Sequence, residues 1–231
     1  MWRPYLLVLA AEGLRQNIGV SVKRDSLSVG LAVGAAGVAF GAVAIADHFS
    51  VAQACFLSFV LFSGASQFSL IAVMSSGGSA LSAIVTGTFL GGRNGLYGVR
   101  MAQILKLKGA KRALAAQITI DESTGVAIAQ DLPEDQRTAF WYTGFGVFFF
   151  WNIFTLIGAL GAKAIGDTSA WGLDVASPAI FCAVLFPRLK ERKLLIAAVL
   201  AFTWALSLTQ FVPAGVPIIS TVLIAAIVGW R

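Results

Sequence analysis

Charge is what this chain most lacks. Asp, Glu, Lys and Arg make up 12% of its 231 residues, against roughly 25% in soluble domains. With 58% hydrophobic residues and a mean hydropathy of +0.82, a surface that faces water on every side is excluded. Cysteine is nearly absent. Cys55 and Cys182 each lie inside an apolar stretch, so neither a disulfide framework nor a CxxC metal site is present. The one histidine, His48, precedes the serines of interest and leaves no later base for a serine triad. Gly64-Ala65-Ser66-Gln67-Phe68 matches only the first four positions of a G-x-S-x-G elbow. A Walker A loop, an HExxH pair and an acidic metal cluster are all missing. The sequence therefore points to no enzyme, no catalytic residue, no metal and no cofactor.

What is present is long uncharged sequence. Residues 26–46, 49–92, 138–162 and 194–230 contain no Asp, Glu, Lys, Arg or His. These runs hold 21, 44, 25 and 37 residues, and about 20 apolar residues cross the ~30 Å hydrocarbon layer. The first and third fit one crossing each, and the others have room for two. The expected fold is all-α, a polytopic membrane helix bundle of about seven hydrophobic segments, forming a single integral-membrane domain over 1–231. A transmembrane β-barrel is disfavoured because its strands alternate, which these runs do not. Ser26 or Ser28 is expected to cap the first long helix. Gly30, Gly34, Gly37 and Gly41 give two GxxxG spacings along it, which let a neighbouring helix approach closely. The Pro213–Pro217 run splits the last pair of segments.

The net charge of +6, from 17 Lys and Arg against 11 Asp and Glu, is read as loop charge that orients the chain rather than as a nucleic-acid surface. Residues 1–25 are expected to be a cytoplasmic or interfacial N-terminus, with Met1–Ala11 retained. Residues 106–137, basic at Lys106, Lys108, Lys111 and Arg112, form the main cytoplasmic connecting segment, helical from Ala113 to Gln130. If every segment crosses once, five basic residues lie on one face and ten on the other. If one stretch between 50 and 105 dips in and returns, the count becomes fourteen against one, which the positive-inside rule favours. At least one segment is then broken or re-entrant, at 64–68 or at 91–95. A simple seven-crossing bundle remains the alternative.

Backbone groups freed by a broken helix are tolerated at membrane depth only where protein or a water-filled cavity satisfies them. A half-helix N-terminus offers free N–H donors and partial positive charge to a carboxylate. Ser63, Gly64, Ser66 and Gln67 are therefore candidate substrate-binding residues, joined by Arg93 and Asn94 at the end of the 44-residue uncharged run. An arginine at the bilayer centre costs about 2.5–3.5 kcal/mol on insertion scales, so a deep Arg93 needs a partner or a role. Arg100 reads better as snorkelling. Asp121, Glu122 and Asp174 are candidates for ion coupling or for a structural ion pair. Asp121 and Glu122 point about 100° apart on a helix and cannot share one narrow site.

These residues resemble the AzlC-type branched-chain amino acid exporters. Gly64-Ala65-Ser66-Gln67-Phe68 resembles the family's GASQF signature, Ile120-Asp121-Glu122 its T-D-E, and Gly172-Leu173-Asp174 with Pro178-Ala179-x-Phe181 its G-L-D…P-A-x-F. Gly91-Gly92-Arg93-Asn94-Gly95-Leu96-Tyr97 keeps the Arg and Tyr of the N-x-R-H-x-x-Y pattern but has Gly91 and Asn94 where it has asparagine and histidine. The resemblance implies export of branched-chain or similar apolar amino acids across the cytoplasmic membrane, ion-gradient driven, by the large subunit of a two-component system. Its implied partner is a small AzlD-type membrane subunit. A non-transporting assembly subunit and a passive channel are the competing readings.

Overall fold

The computed structural model describes residues 21–167 and 185–229, together with 170, 179 and 182. Every regular element among them is helical. α1 covers Ser21–Ala46, interrupted by a turn at Ala35–Ala36. α2 is Val51–Val60, α3 Gly64–Ser75, α4 Ala80–Leu105, α5 Gly109–Gln117, α6 Asp121–Ile128 and α7 Pro133–Ile165. A 3-10 turn at Phe186–Lys190 leads to α8, Arg192–Leu208, and α9, Val216–Gly229. At 1.5 Å per residue, α1 with 26 residues and α7 with 33 are each longer than the ~30 Å apolar layer. Their large apolar side chains are turned outward in many places, as are Phe56, Leu81, Leu96, Phe202 and Phe211 on other helices and loops. Soluble monomers rarely expose so much contiguous apolar surface, whereas lipid accepts it. The expected all-helical membrane bundle is thus the observed one.

Several boundaries follow from local chemistry. Ser50 caps α2 in a reciprocal box: its Oγ accepts from the Gln53 N–H at 3.2 Å, while its own N–H donates to Gln53 Oε1 at 2.8 Å. Pro213 and Gly215, the latter at φ +94°, separate α8 from α9. Ser26 and Ser28 are not caps. The helix is already formed at Ser21, and Ser28 Oγ donates back to the Arg24 carbonyl at 2.9 Å, the in-helix bond of a mid-helix serine. The continuous helix expected over 113–130 is also corrected, because the chain leaves helix at 118–120 and restarts as α6.

The described residues group into two compact units, one of residues up to Gly37 with Arg93–Phe154, the other of Val38–Gly92 with the chain from Thr155 on. In the first, a Cβ built on Gly30 would lie 2.9 Å from the Gly146 backbone, and one on Gly34 would strike Phe150. Positions four apart on α1 thus face positions four apart on α7, so the two run parallel there at a separation only glycine allows. In the second unit, Gly41 meets the backbone of Thr155 and Ala159 with no room for a side chain.

Candidate functional site

The expected break lies between α2 and α3. The Leu61 N–H closes α2 on the Leu57 carbonyl at 3.0 Å. Phe62 then takes φ +26°, a backbone conformation that a bulky L residue adopts only under constraint from its surroundings. Ser63, extended at φ −153°, starts α3. Ten residues of continuous helix would separate Leu57 from Gln67 by about 15 Å. Instead Gln67 Nε2 donates to the Leu57 carbonyl at 3.1 Å. The chain therefore bends sharply at Phe62 and brings the first turn of α3 back beside the last turn of α2. The glycine-rich 91–95 stretch does not break, being the middle of α4.

Four of the predicted residues sit at this bend. Ser63 makes no side-chain cap, and its Oγ is 3.1 Å from Ser66 Oγ, which donates to it. Ser63 is 5% exposed, while Ser66 and Gln67 are fully buried. The amide of Gln67 is half satisfied, since Nε2 has its carbonyl and Oε1 has no hydrogen-bond partner. An unmet buried acceptor costs about 1–3 kcal/mol. Buried Phe62 and Phe68 supply apolar surface nearby, with Phe68 edge-on to Phe40 at 5.5 Å. On the α4 side, a Cβ at Gly91 would come within 3.0 Å of Ser66 Oγ. The bend thus offers free N–H groups at a helix start, one amide oxygen in want of a donor, and phenyl rings.

Arg93 and Asn94 belong to the other unit, on the middle turns of α4. Arg93 Nη2 is 2.8 Å from Asp121 Oδ2, with both side chains about two-fifths exposed. That exposure limits the pair to about 0–1 kcal/mol, so its effect is to aim Arg93 at the start of α6. Arg100 is exposed and donates to Gln103 Oε1 at 3.3 Å. Asp121 and Glu122 occupy the first turn of α6, where the helix dipole favours carboxylates. Ser123 caps that turn by accepting from the Ile120 N–H at 3.0 Å and donating to the Ile118 carbonyl at 2.7 Å. Of the two, Asp121 forms the ion pair with Arg93. Glu122, in the segment expected to lie outside the bilayer, has its pKa raised. Burial is the chief cause and the Asp121 charge adds to it, against its own backbone hydrogen bond and Arg93. Asp174 lies outside the described residues.

Sequence reasoning missed a cavity in this unit. A half-open cavity of about 500 Å³ is lined by Asn94, Gly98, Met101 and Leu105 of α4 with Arg112 and Ala115 of α5. Asn94 Oδ1 is buried without a partner, as are Asp121 Oδ1 and Thr124 Oγ1 on α6. The sequence signal was the run of small residues on α4 and α5, but it meets only when the two helices fold together. Among the described residues no group of three His, Cys, Asp or Glu side chains is placed to hold a metal ion.

An all-helical chain with lipid-length helices, outward apolar side chains and polar groups buried at helix breaks is a helical membrane protein of transporter-like build. Comparison with known proteins narrows the class. The AzlC protein family matches residues 28–165, and the chain belongs to that family. It is 31% identical over 147 residues to the inner membrane protein YgaZ of Escherichia coli, a match covering 62% of this chain and 60% of YgaZ. It is 34% identical over 155 residues to a membrane protein of Archaeoglobus fulgidus, covering 66% and 68% respectively. The chain thus spans about three fifths of the length of the Escherichia coli relative. No solved structure matches it.

Proposed function

We propose that this protein is the large, transporting subunit of a secondary exporter for branched-chain or similar apolar amino acids, driven by an ion gradient and acting with a small membrane subunit of the AzlD type. It lies, on this reading, as a multi-pass protein of the cytoplasmic membrane with a cytoplasmic N-terminus. Membership of the AzlC family supports this, and one structural observation carries it: the fully buried Gln67 keeps its Oε1 unmet in the first turn of a helix that begins at a bend. A half-helix start suits the α-carboxylate, since its N–H groups are free and the dipole is favourable. The amide oxygen suits the α-ammonium, and Phe62 and Phe68 suit a branched apolar side chain. The helix start and the amide favour no anion or cation alone, so a zwitterion satisfies them best.

Counterflow in proteoliposomes tests the reading, using labelled valine, leucine, isoleucine and methionine with and without the small subunit. Transient uptake of label above equilibrium is expected. Flux that only dissipates the gradient would indicate a channel. Absence of flux under all conditions, despite an assembled complex, would indicate an assembly subunit. Either result overturns the proposal.

A further inference from the structure

We propose that residues 109–128 form a second broken helix, re-entering the membrane from the side of Lys108 and carrying the Asp121–Glu122 pair to mid-depth, where the pair binds the proton whose inward passage drives export. The inference rests on the export reading and deepens it by naming the coupling ion. It also revises the connecting segment expected over 106–137.

Two neighbouring helices serve as rulers of depth. Arg137, near the start of α7, donates through Nε to the Ile104 carbonyl near the end of α4 at 3.2 Å, which sets those two helix ends at one level. From Ile104, Arg93 lies eleven residues back along α4, about 16 Å at 1.5 Å per residue, and there it meets Asp121 at 2.8 Å. From Arg137, Gly144 lies seven residues on along α7, about 10 Å, and there a Cβ would come 2.8 Å from Ile118 Cδ1. Half of the apolar layer is ~15 Å, so the break at 118–120 sits near its middle. α5 has nine residues and α6 eight, about 12–14 Å each, which is the length needed to go in and come back. Ile118, Thr119 and Ile120 are all buried, and Ser123 satisfies the backbone around them, as a break at that depth requires.

Ionisable groups so deep are costly and mark ion paths. Here one guanidinium faces two carboxylates. Among the described residues, Arg93 of α4 and Asp121 of its own helix are the charged groups that act on Glu122, while Lys111 and Arg112 lie in the first turn of α5, at the end away from the break. With Arg93 held by Asp121, the cluster is short of one positive charge. It is also short of donors. Asp121 Oδ1 and Thr124 Oγ1, one turn apart on α6, are buried without hydrogen-bond partners, and Thr124 is only 4% exposed. A proton meets both needs, because a protonated carboxyl is neutral and donates. A metal cation would be opposed by the positive end of the α6 dipole. As an amino acid leaves, a proton from the outer water forms one carboxyl O–H bond on the pair, and that bond breaks to release the proton to the cytoplasm.

Proteoliposomes of the assembled exporter, supplied with labelled leucine, test this. An acidic lumen should raise wild-type accumulation several-fold over vesicles without a gradient. Glu122→Gln, which fixes the neutral form, should still exchange leucine in counterflow but lose the response to the pH gradient, and Glu122→Asp should keep it. A wild-type response in Glu122→Gln, or a wild type driven by sodium and not by pH, overturns the assignment while the export reading stands. Loss of counterflow in Glu122→Gln would make Glu122 a structural or substrate-binding residue and also overturns it. A wild type without counterflow overturns the export reading beneath. Depth is read from a cysteine at Leu114, which is exposed on α5, in a background lacking Cys55 and Cys182. An impermeant maleimide should label it at least tenfold more slowly than a cysteine at Lys108; equal rates would put the segment in water and overturn the placement.

Discussion

Replacing Gln67 with leucine separates a residue kept for packing from one kept for a passing solute. The wild-type amide is fully buried, donates one hydrogen bond to the Leu57 carbonyl at 3.1 Å and leaves Oε1 unmet. Leucine has similar volume and no polar atoms. The variant loses one net hydrogen bond, about 0.5–1.5 kcal/mol, and removes an unmet buried acceptor costing about 1–3 kcal/mol. The Leu57 carbonyl is not orphaned, because it still accepts from the Leu61 N–H. The balance runs from about 0.5 kcal/mol of lost stability to about 2.5 kcal/mol of added stability, centred on a gain of about 1 kcal/mol. Gln67→Leu should therefore show membrane abundance and Tm in detergent equal to or above wild type, with amino-acid counterflow abolished. A variant that unfolds more readily yet still exchanges leucine would refute the reasoning, since Gln67 would then be a structural residue.

Four further outcomes follow from the geometry. Gly41→Leu should fail to accumulate in the membrane, because its side chain has no room against Thr155 and Ala159 and overpacking typically costs about 1–3 kcal/mol; quantitative immunoblotting of membranes decides this. Arg93→Ala should accumulate normally, since its partly exposed pair with Asp121 is worth at most about 1 kcal/mol, but should lower flux; normal flux would remove Arg93 from the transport path. Glu122→Gln should raise Tm near neutral pH. Burial raises the folded-state pKa, so the carboxylate folds more readily protonated than charged. Its cost is absent below the unfolded-state pKa, appears as pH rises through that value and is full above the folded-state pKa; the variant's advantage should accordingly fade on acidification, as a Tm series against pH would show. A cysteine at Lys108, with Cys55 and Cys182 replaced by serine, should be labelled by an impermeant thiol reagent only from the cytoplasmic side; external labelling would restore the simple seven-crossing bundle.

The helical architecture was legible because charge is so sparse that its gaps mark the spans. The stop at the Pro213–Pro217 run emerged from residue type alone. The site was half legible. Ser63–Gln67 was expected at a break, but so was 91–95, and glycine content could not choose between them. A mid-helix glycine costs only about 1 kcal/mol, which a 26-residue helix absorbs, whereas the bend falls at Phe62, whose positive φ is imposed by its surroundings. Which basic group Asp121 or Glu122 would meet was open among Arg93, Arg100 and the Lys106–Arg112 run until folding set Arg93 beside Asp121. Asp121 and Glu122 were placed mid-helix because Ile118-Thr119-Ile120 carries no breaker. The break there depends on Ser123 turning its hydroxyl back to the Ile118 carbonyl and the Ile120 amide. The α4–α5 cavity was invisible for a related reason: its small residues lie on separate helices.

The central claim is that an apolar amino acid occupies the bend between α2 and α3 as it crosses. A single cysteine at Ser66, in a background lacking Cys55 and Cys182, tests this through its rate of alkylation by a small membrane-permeant reagent. Saturating leucine should slow that reaction several-fold while glycine does not. An alkylation rate unchanged by leucine, in protein that still exchanges leucine, would contradict the account.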